Sequence, residues 1–463
     1  MKPFTQYIHT LFDSIAPALP EYHNSYIKSL RQKGLKRFST LELPHNRLET
    51  WRHHAIDQCV QSSYTIQQTA KPYRPVEDYF HCKIGQINSE MFSFLNGWYV
   101  NRNAPLTIFA NGMIVGTIFS ALQQFPDLVQ PYLAQKQEKE SDGLLALNQA
   151  FFNDGIFIYI PDNLNIKNPI QMVSLVEGKE NLMINNRNLI VVGQNSKLSI
   201  IHCDDSLSFT QSLLNNVTEI YLAENATLNY YKMENKDPDS LLINNVLVQQ
   251  KRGSSFISHA ITFNAGYVRN QIEVDLTEPF ATARLYGLYL VDKKQYVDNQ
   301  VKVNHLAPDC TSTQLYKGIV DDEAQANFNG HVVVHPQAQH TMAYQSNRNI
   351  ALTDEVKITT KPFLEIYADD VKCSHGSTVG QLDDDALFYM RTRGLCERSA
   401  KVLLMYAFAT EAVNHVEIAI LRESLTMMIQ KRLSGDLTMC NQCSTPCPGN
   451  NRPLSFDIDL SKI

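Results

Sequence analysis

Cys373 and His375 stand two residues apart in the stretch VKCSHGSTVG, and side chains of these types could bind a metal ion or form a nucleophile pair. The stretch follows FLEIYADD, whose apolar pattern predicts a strand, so both residues should extend that strand or lie at its exit. Because side chains alternate along a strand, both would project to the same face. A thiolate beside an imidazole suits zinc, or iron bound with sulfur, better than magnesium or calcium.

This pair alone would be an incomplete metal site. A tetrahedral site needs four ligands, so the others would come from elsewhere in the chain or from a partner subunit. A Cys-His nucleophile would need a tight hydrogen bond between the two side chains, which neighbours on one strand face do not guarantee. A chance pairing without function is the third interpretation that these residues leave open.

A second group of possible metal ligands lies in the tail MCNQCSTPCPGN. Cys440, Cys443 and Cys447 have C-x2-C-x3-C spacing, followed and interrupted by prolines and a glycine that bend the backbone. Three thiolates could hold zinc or a cluster with one outside ligand. The alternative is that they are adventitious thiols with no metal.

The middle of the chain predicts many short strands. From about residue 155, runs such as GIFIYIP, LIVVGQ and TEIYLAE are rich in Val, Ile, Tyr and Thr and are separated by Asn, Asp and Gly. Asparagines at 185, 215, 244, 270 and 299 recur at intervals of 30, 29, 26 and 29 residues. A repeat this short must stack on its copies to bury a face, so the pattern favours a β-solenoid with Asn at its corners over an ordinary antiparallel sandwich.

The flanking regions have a different character. Residues 1–154 predict a mainly helical region with one strand-like piece, PLTIFANGMIVGTIF. Residues 155–379 form the predicted solenoid core, 380–437 a C-terminal helical domain and 438–463 a cysteine-containing tail. Asp383 is suited to begin the first C-terminal helix and Gly394 to end it.

Composition excludes several classes of function. The formal charge is −6 and no Lys/Arg run is dense enough to follow a phosphate backbone, which argues against a nucleic-acid partner. No apolar stretch reaches the roughly 20 residues of a membrane span, and the first residues do not resemble a secretory signal. We therefore expect a cytoplasmic protein with reduced cysteines. A G-x-x-x-x-G-K-[ST] phosphate loop does not occur, so no ATP site is expected in this chain.

Two long runs carry a family resemblance. FLEIYADDVKCSHGSTVGQLDDDALFYMRTRGL and KGIVDDEAQANFNGHVVVHPQAQHTMAYQSNRNIALTD resemble the final solenoid turns and the strand-to-helix junction of the SufB/SufD family, the scaffold subunits of a sulfur-mobilisation system for iron-sulfur cluster assembly. Where SufB-type chains tend to have EHEATTSKI, this chain has SHGSTVGQL, so it resembles the SufD branch.

The resemblance implies a mainly β fold: a right-handed parallel β-helix flanked by N-terminal and C-terminal helical domains. It implies a non-enzymatic scaffold that pairs end to end with a SufB-like chain, or with itself when isolated, and binds a SufC-like ATPase through its C-terminal domain. His375, with Cys373 beside it, would help to hold a transient cluster together with partner ligands. The residues expected to contact the ATPase are Asp383, Asp385, Leu387, Phe388, Tyr389, Arg391 and Arg393.

Two other functions are compatible with a β-helix. A polysaccharide-acting enzyme would need clustered carboxylates on one solenoid face and usually secretion, and Asp321, Asp322 and Glu323 are the one obvious acidic cluster. A self-sufficient metal carrier would act through the cysteine tail.

Overall fold

The centre of the protein is a solenoid of parallel strands. The computed structural model describes residues 3–53, 56–60, 63–71, 74–76, 87–101, 103–136, 142–208, 211–264 and 266–434. In chain order the strands are β1 (Glu90–Leu95), β2 (Trp98–Tyr99), β3 (Leu106–Ile108), β4 (Ile114–Thr117), β5 (Ile156–Ile160), β6 (Ile170–Val176), β7 (Met183–Val192), β8 (Lys197–Ser206), β9 (Leu213–Leu222), β10 (Thr227–Asn235), β11 (Leu241–Gln250), β12 (Ser255–Asn264), β13 (Tyr267–Leu276), β14 (Thr282–Val291), β15 (Tyr296–His305), β16 (Thr311–Val320), β17 (Gln325–Val334), β18 (Met342–Ala351), β19 (Lys357–Ile366) and β20 (Lys372–Gly380).

These strands form two ten-stranded sheets. From β5 onward successive strands alternate between the sheets. The even-numbered strands from β6 to β20 lie in the first sheet, and the odd-numbered strands from β5 to β19 lie in the second. Each strand pairs in parallel with the strand one turn earlier in its own sheet, as in β16 with β18 and β17 with β19. The alternate positions of both sheets point inward and form one continuous apolar core, which includes Leu228, Val248, Val274 and Val303. The predicted parallel solenoid is therefore confirmed.

Corner residues and strand asparagines have separate roles. Asn195 and Asn225 occupy tight corners with φ angles of 54° and 56°, which asparagine tolerates better than most residues. The recurring asparagines singled out by spacing lie inside the strands, so their expected place at the corners was wrong. Five strand asparagines of the second sheet, one per turn, form a column in which each is in register with the next. They are Asn186, Asn216, Asn244, Asn270 and Asn299.

Side-chain amide bonding explains this column. Asn216 Nδ2 donates to Asn244 Oδ1 at 3.2 Å, and Asn244 Nδ2 donates to Asn270 Oδ1 at 3.1 Å. A buried amide needs partners, and an identical amide one turn away supplies both a donor and an acceptor. The periodicity was therefore a genuine repeat signal with a different physical origin from the one expected.

The N-terminal region contains both helices and strands. Its helices are α1 (Pro3–Ile15), α2 (Ser25–Leu41), α3 (Ile118–Gln124), α4 (Pro126–Val129) and α5 (Gly143–Phe151). The strand-like piece anticipated from the sequence corresponds to β3 and β4, which pair with each other and join the second sheet at β5, all antiparallel. Strand β1 joins the first sheet beside β6, and β2 turns back antiparallel to β1. The sequence pattern had not distinguished these two strands.

Three C-terminal helices follow the last strand: α6 (Asp384–Thr392), α7 (Glu397–Val413) and α8 (Ala419–Ser434). Asp383 caps α6, with its carboxylate accepting from Ala386 N at 3.0 Å, and Gly394 takes a φ of 92° just after the helix. Helices α7 and α8 pack on the outer face of the first sheet, where Ala409 and Leu425 join a buried cluster with Ile261. The C-terminal helices therefore return along the solenoid.

Ionic contacts fasten these helices to the sheet. Lys317 on β16 donates to the carboxylate of Glu411 and, at 3.0 Å, to the carbonyl of Phe408. Arg432 Nη2 lies 2.8 Å from Asp292 Oδ1. Within the described residues no helix is both long and apolar enough to cross a membrane.

Candidate functional site

The two ends of the solenoid differ. At the N-terminal end the outermost strands are β2 and β3, of only two and three residues. At the other end β19 and β20 are the outermost strands of their sheets and run for ten and nine residues. We call β19 and β20 the open end. Long unpaired strand edges are templates for pairing with another chain.

Apolar side chains are concentrated at this end. Among the large hydrophobic residues that are exposed in the described chain, those from the last three strands and the loop after β19 are Met342, Tyr344, Phe363, Ile366, Tyr367 and Val379. Exposed apolar patches of this kind mark interaction surfaces. The open end therefore has both free strand edges and apolar surface.

Cys373 and His375 both lie on β20, where they share a face. Cys373 is in register with Ala343 of β18, a core residue, and packs against the same apolar cluster from a half-buried position. His375 is in register with Gln345 and is exposed. The pair therefore lies at the mouth of the solenoid interior. The expectation that they extend the preceding strand was wrong: β20 is a separate strand in the first sheet, whereas β19 lies in the second.

The electrostatics of the pair favour a neutral cysteine. Burial raises the pKa of the Cys373 thiol, while a backbone hydrogen bond near Ala343 opposes that shift. Across the described residues, no three His, Cys, Asp or Glu side chains come together as a metal-holding group. Cys373 and His375 thus form half of a tetrahedral site at most.

Below the mouth the interior is polar. Gln345 and Gln314 continue the column of His375 into the solenoid, one strand at a time, and they are 5% and 1% exposed. In the adjoining columns Tyr289 Oη donates to Asn349 Oδ1 at 2.5 Å and accepts from Asn347 Nδ2 at 3.2 Å. The sequence analysis did not identify these polar residues. The alternation of Gln345, Asn347 and Asn349 within β18 could have shown that they share one face of the strand.

Deeper in the interior lies a buried ionic cluster. Lys232 Nζ donates to Asp204 Oδ2 at 2.5 Å and lies 3.1 Å from His202 Nε2, whose other ring nitrogen lies 2.7 Å from Tyr230 Oη. Burial, followed by the nearby Lys232 charge, lowers the pKa of His202 to about 3, so its ring is neutral at pH 7. His202 points inward and Cys203 outward, as expected for adjacent strand residues.

Glu234 is a second buried acid near this cluster. Its carboxylate accepts from Asn244 at 2.6 Å, Thr262 at 2.6 Å and Asn270 at 2.9 Å. Burial raises its pKa, against the lowering effect of the Lys232 charge. Strand alternation in TLNYYKMEN places Tyr230, Lys232 and Glu234 on one face, a signal that the sequence analysis did not use.

The predicted ATPase-contact segment is an exposed helix. Helix α6 has no buried residue, with Phe388 69% and Tyr389 59% exposed. Arg393 donates to Tyr389 Oη at 3.2 Å, and Arg391 lies 3.9 Å from Glu397. Of the other residues that the sequence proposed for this contact, Asp383 caps the helix, Asp385 is exposed and Leu387 is half-buried. Phe388 and Tyr389 are therefore adjacent exposed aromatic side chains, a feature that is common in interaction surfaces.

The remaining candidates lie elsewhere. Cys440, Cys443 and Cys447 fall outside the described residues. The acidic cluster occupies a corner between strands, where Asp322 accepts from Lys293 N at 3.0 Å and Glu323 lies 3.8 Å from Lys294. The acidic residues of that corner contact the backbone and a lysine of the neighbouring corner, as expected for residues that stabilise a turn.

Comparison with known proteins gives matches over nearly the whole chain. Residues 1–172 match the SufBD protein N-terminal region, and residues 175–408 match the SufBD core domain of SUF system FeS cluster assembly. An iron-sulfur cluster assembly SufBD family protein of Synechocystis is 29% identical over 465 residues, covering 95% of this chain and 98% of the relative. The iron-sulfur cluster assembly protein SufD of Escherichia coli is 26% identical over 409 residues, covering 87% and 92%. SufD of Bacillus subtilis is 24% identical over 328 residues, covering 70% and 74%.

Proposed function

Because this chain belongs to the SufBD family of the SUF iron-sulfur cluster assembly system, we propose that it is a SufD-like scaffold subunit whose open end pairs with a SufB-like chain. The nascent cluster would be held between the two chains, with His375 as this chain's ligand and Cys373 beside it. Two relatives that align over most of this chain carry the name SufD.

One observation carries the shared-site proposal: an incomplete ligand pair stands at the one solenoid end with long free strand edges. A second chain that docked there would extend the sheets by strand addition and bring its own side chains to the mouth. A borderline metal such as iron would complete its tetrahedral set from both chains. In an isolated preparation the same edges would pair with a second copy of this chain.

Helix α6 is the surface proposed for a SufC-like ATPase. The chain lacks a G-x-x-x-x-G-K-[ST] phosphate loop, so ATP hydrolysis would be supplied by that partner and this subunit would act as scaffold. Phe388 and Tyr389 provide an aromatic anchor of the type enriched in interfaces, with Arg391 and Arg393 beside them.

The experiment that tests the shared site compares wild type with His375→Ala in the complex with SufB-like and SufC-like partners, during anaerobic cluster reconstitution. We expect the variant to keep its partners and to lose cluster formation. His23→Ala, which removes an exposed imidazole in the N-terminal region, is the matched control and should behave as wild type. Normal cluster formation by His375→Ala would show that His375 is not a required ligand.

The ATPase surface is tested separately by Phe388→Ala. This change should weaken co-purification of the SufC-like partner while the SufB-like chain stays bound. Met427→Ala, at a residue 54% exposed on α8, controls for the loss of an exposed apolar side chain. Equal effects of the two changes would argue against α6 as the specific contact.

A further inference from the structure

Three residues make a short column on the inner face of the first sheet: Gln314, Gln345 and His375. Gln345 is in register with both Gln314 and His375. Adjacent parallel strands lie about 4.8 Å apart, so side chains in one column are direct neighbours. We call this set the glutamine column. It ends at the solenoid mouth on one side and at Leu285, fully buried on β14, on the other.

The two carboxamides of the column have no hydrogen-bond partner among the described residues, neither each other nor His375. Gln314 and Gln345 are 1% and 5% exposed, and neither Oε1 nor Nε2 of either side chain has a partner there. The buried Gln250 is different, since its Nε2 donates to Ser254 Oγ at 3.2 Å and to the carbonyl of Thr282 at 3.1 Å. A buried amide without a hydrogen bond destabilises the folded state, so two such amides on neighbouring strands call for an explanation.

The surroundings of the column restrict where these bonds can go. Leu285 offers no polar group on the inner side. The adjoining Asn347 and Asn349 already bond each other and Tyr289. Glycine at 330 leaves room for the carboxamide, because a Cβ there would lie 3.0 Å from Gln314 Oε1. Toward the mouth, the next side chain in the column is the imidazole of His375.

We infer that Gln345 is the positioning residue of His375. In this role the unpaired carboxamides rotate, so that Gln345 Oε1 accepts the N–H of one ring nitrogen of His375 and Gln345 Nε2 donates to Gln314 Oε1. This pairing fixes the neutral tautomer of the ring and leaves the lone pair of the outward nitrogen facing the open end. A metal-binding histidine is commonly oriented in this way by an acceptor for its second nitrogen.

The hydrogen bond itself concerns this chain alone, whereas its use for cluster binding rests on the proposed function above. Both parts can therefore be tested independently. The column gives the shared site a histidine that is already oriented before the partner or the iron arrives, which reduces the ordering cost of binding.

The test measures the tautomer of His375 by long-range ¹H–¹⁵N correlation NMR on histidine-labelled full-length chain at a pH where the ring is neutral, with the signal assigned through His375→Ala. In wild type, one tautomer should dominate by about tenfold, the equilibrium effect of one net hydrogen bond. Gln345→Met keeps the shape and apolar packing but removes the acceptor, and should bring the ratio close to that of a free imidazole. Gln314→Met should give an intermediate shift.

Gln250→Met is the matched control, because it removes a buried carboxamide that is bonded elsewhere in the solenoid. It should lower stability and leave the His375 tautomer unchanged. A mixed tautomer in wild type, or a ratio that does not respond to Gln345→Met, would overturn the positioning role. The wild-type measurement decides the matter even if a variant fails to fold.

A second readout uses the complex with the SufB-like partner and Co²⁺ as a spectroscopic substitute for iron. Gln345→Met should weaken Co²⁺ binding by about 10–100-fold, the usual effect of losing an outer-shell partner. If the tautomer responds but neither His375→Ala nor Gln345→Met changes Co²⁺ binding, the positioning role stands and the proposed shared site fails.

Discussion

Tyr289 bonds to Asn349 across an intervening strand. Tyr289 on β14, Gly318 on β16 and Asn349 on β18 are in register, and the tyrosine ring passes over the glycine to place Oη 2.5 Å from Asn349 Oδ1. A Cβ at position 318 would lie 2.0 Å from Tyr289 Cε2. The missing side chain of Gly318 is thus what allows a polar contact to span two turns of the solenoid.

Gly318→Ala should destabilise the protein by about 1–3 kcal/mol, because the added methyl must displace a buried ring in a close-packed interior. Equilibrium urea unfolding measures the change. Gly376→Ala on β20 is the control, since a Cβ there meets nothing within 4 Å, and it should change stability by less than about 0.5 kcal/mol. Equal stabilities of the two variants would contradict the packing described.

The ion pair between Lys317 and Glu411 should respond unequally to removal of its partners. The Lys317 side chain is 2% exposed and that of Glu411 is 47% exposed. Glu411→Ala leaves a buried ammonium whose remaining partners among the described residues are the Phe408 carbonyl and ring, and should cost about 3 kcal/mol. Lys317→Met leaves a carboxylate that water can solvate, and should cost about 1 kcal/mol. Urea unfolding of both variants checks the order, and the reverse order would contradict the burial asymmetry.

His259 should make the folded state sensitive to acid. Its ring is 1% exposed between the rings of Tyr231 and Tyr286, at centroid distances of 5.2 and 4.8 Å. Burial, then the His415 charge, lowers its pKa to about 3. Below a pH of about 6.5 the unfolded chain binds a proton that the folded chain rejects, so stability falls as pH decreases from there toward 3.

His259→Phe keeps the stack and removes this proton linkage. The slope of unfolding free energy against pH, measured by urea unfolding between pH 6.5 and 5, should become shallower by about 1 kcal/mol per pH unit. Other titrating groups act in both proteins and cancel in the comparison. An unchanged slope would mean that His259 becomes protonated in the folded state.

A charge at the open end should prevent pairing without unfolding the chain. Val379 is 49% exposed on β20, and Val379→Lys should reduce binding to the SufB-like partner at least about tenfold, because desolvating an ammonium is costly. Ile108→Lys alters a residue 57% exposed on β3 at the opposite end, and should leave binding unchanged. Co-purification and circular dichroism together separate lost pairing from misfolding. Equal binding by both variants would place the interface elsewhere.

The sequence was sufficient for features that depend on local pattern. Short strand-like runs together with the asparagine repeat predicted the solenoid, strand alternation predicted the shared face of Cys373 and His375, and capping chemistry predicted Asp383 as the start of α6. The last two signals involve residues within a few positions of one another, and the first is a repeat that is visible along the chain.

Contacts between residues far apart in the sequence could not be predicted from the sequence alone. Lys317 and Glu411 are 94 residues apart, and Gln345 and His375 are brought together by a register that no single strand specifies. The asparagine repeat illustrates the boundary: its period was visible, but the residues in register with Asn244 are Asn186 and Asn216, one position beyond the anchors inferred at 185 and 215. A shift of one residue exchanges inside and outside on a strand, so only the three-dimensional pairing could assign their role.

The difference between the two solenoid ends also limits how many chains can join. Strands β2 and β3 present two and three residues of edge, whereas β19 and β20 present ten and nine. A molecule with a long strand edge at one end can pair through that end. Without a long strand edge at the other end, it has no second surface from which a fibre could grow. If pairing occurs at the open end as proposed, the N-terminal strand pairs would terminate assembly and would keep a protein built from stacked, fibre-like turns at a defined size.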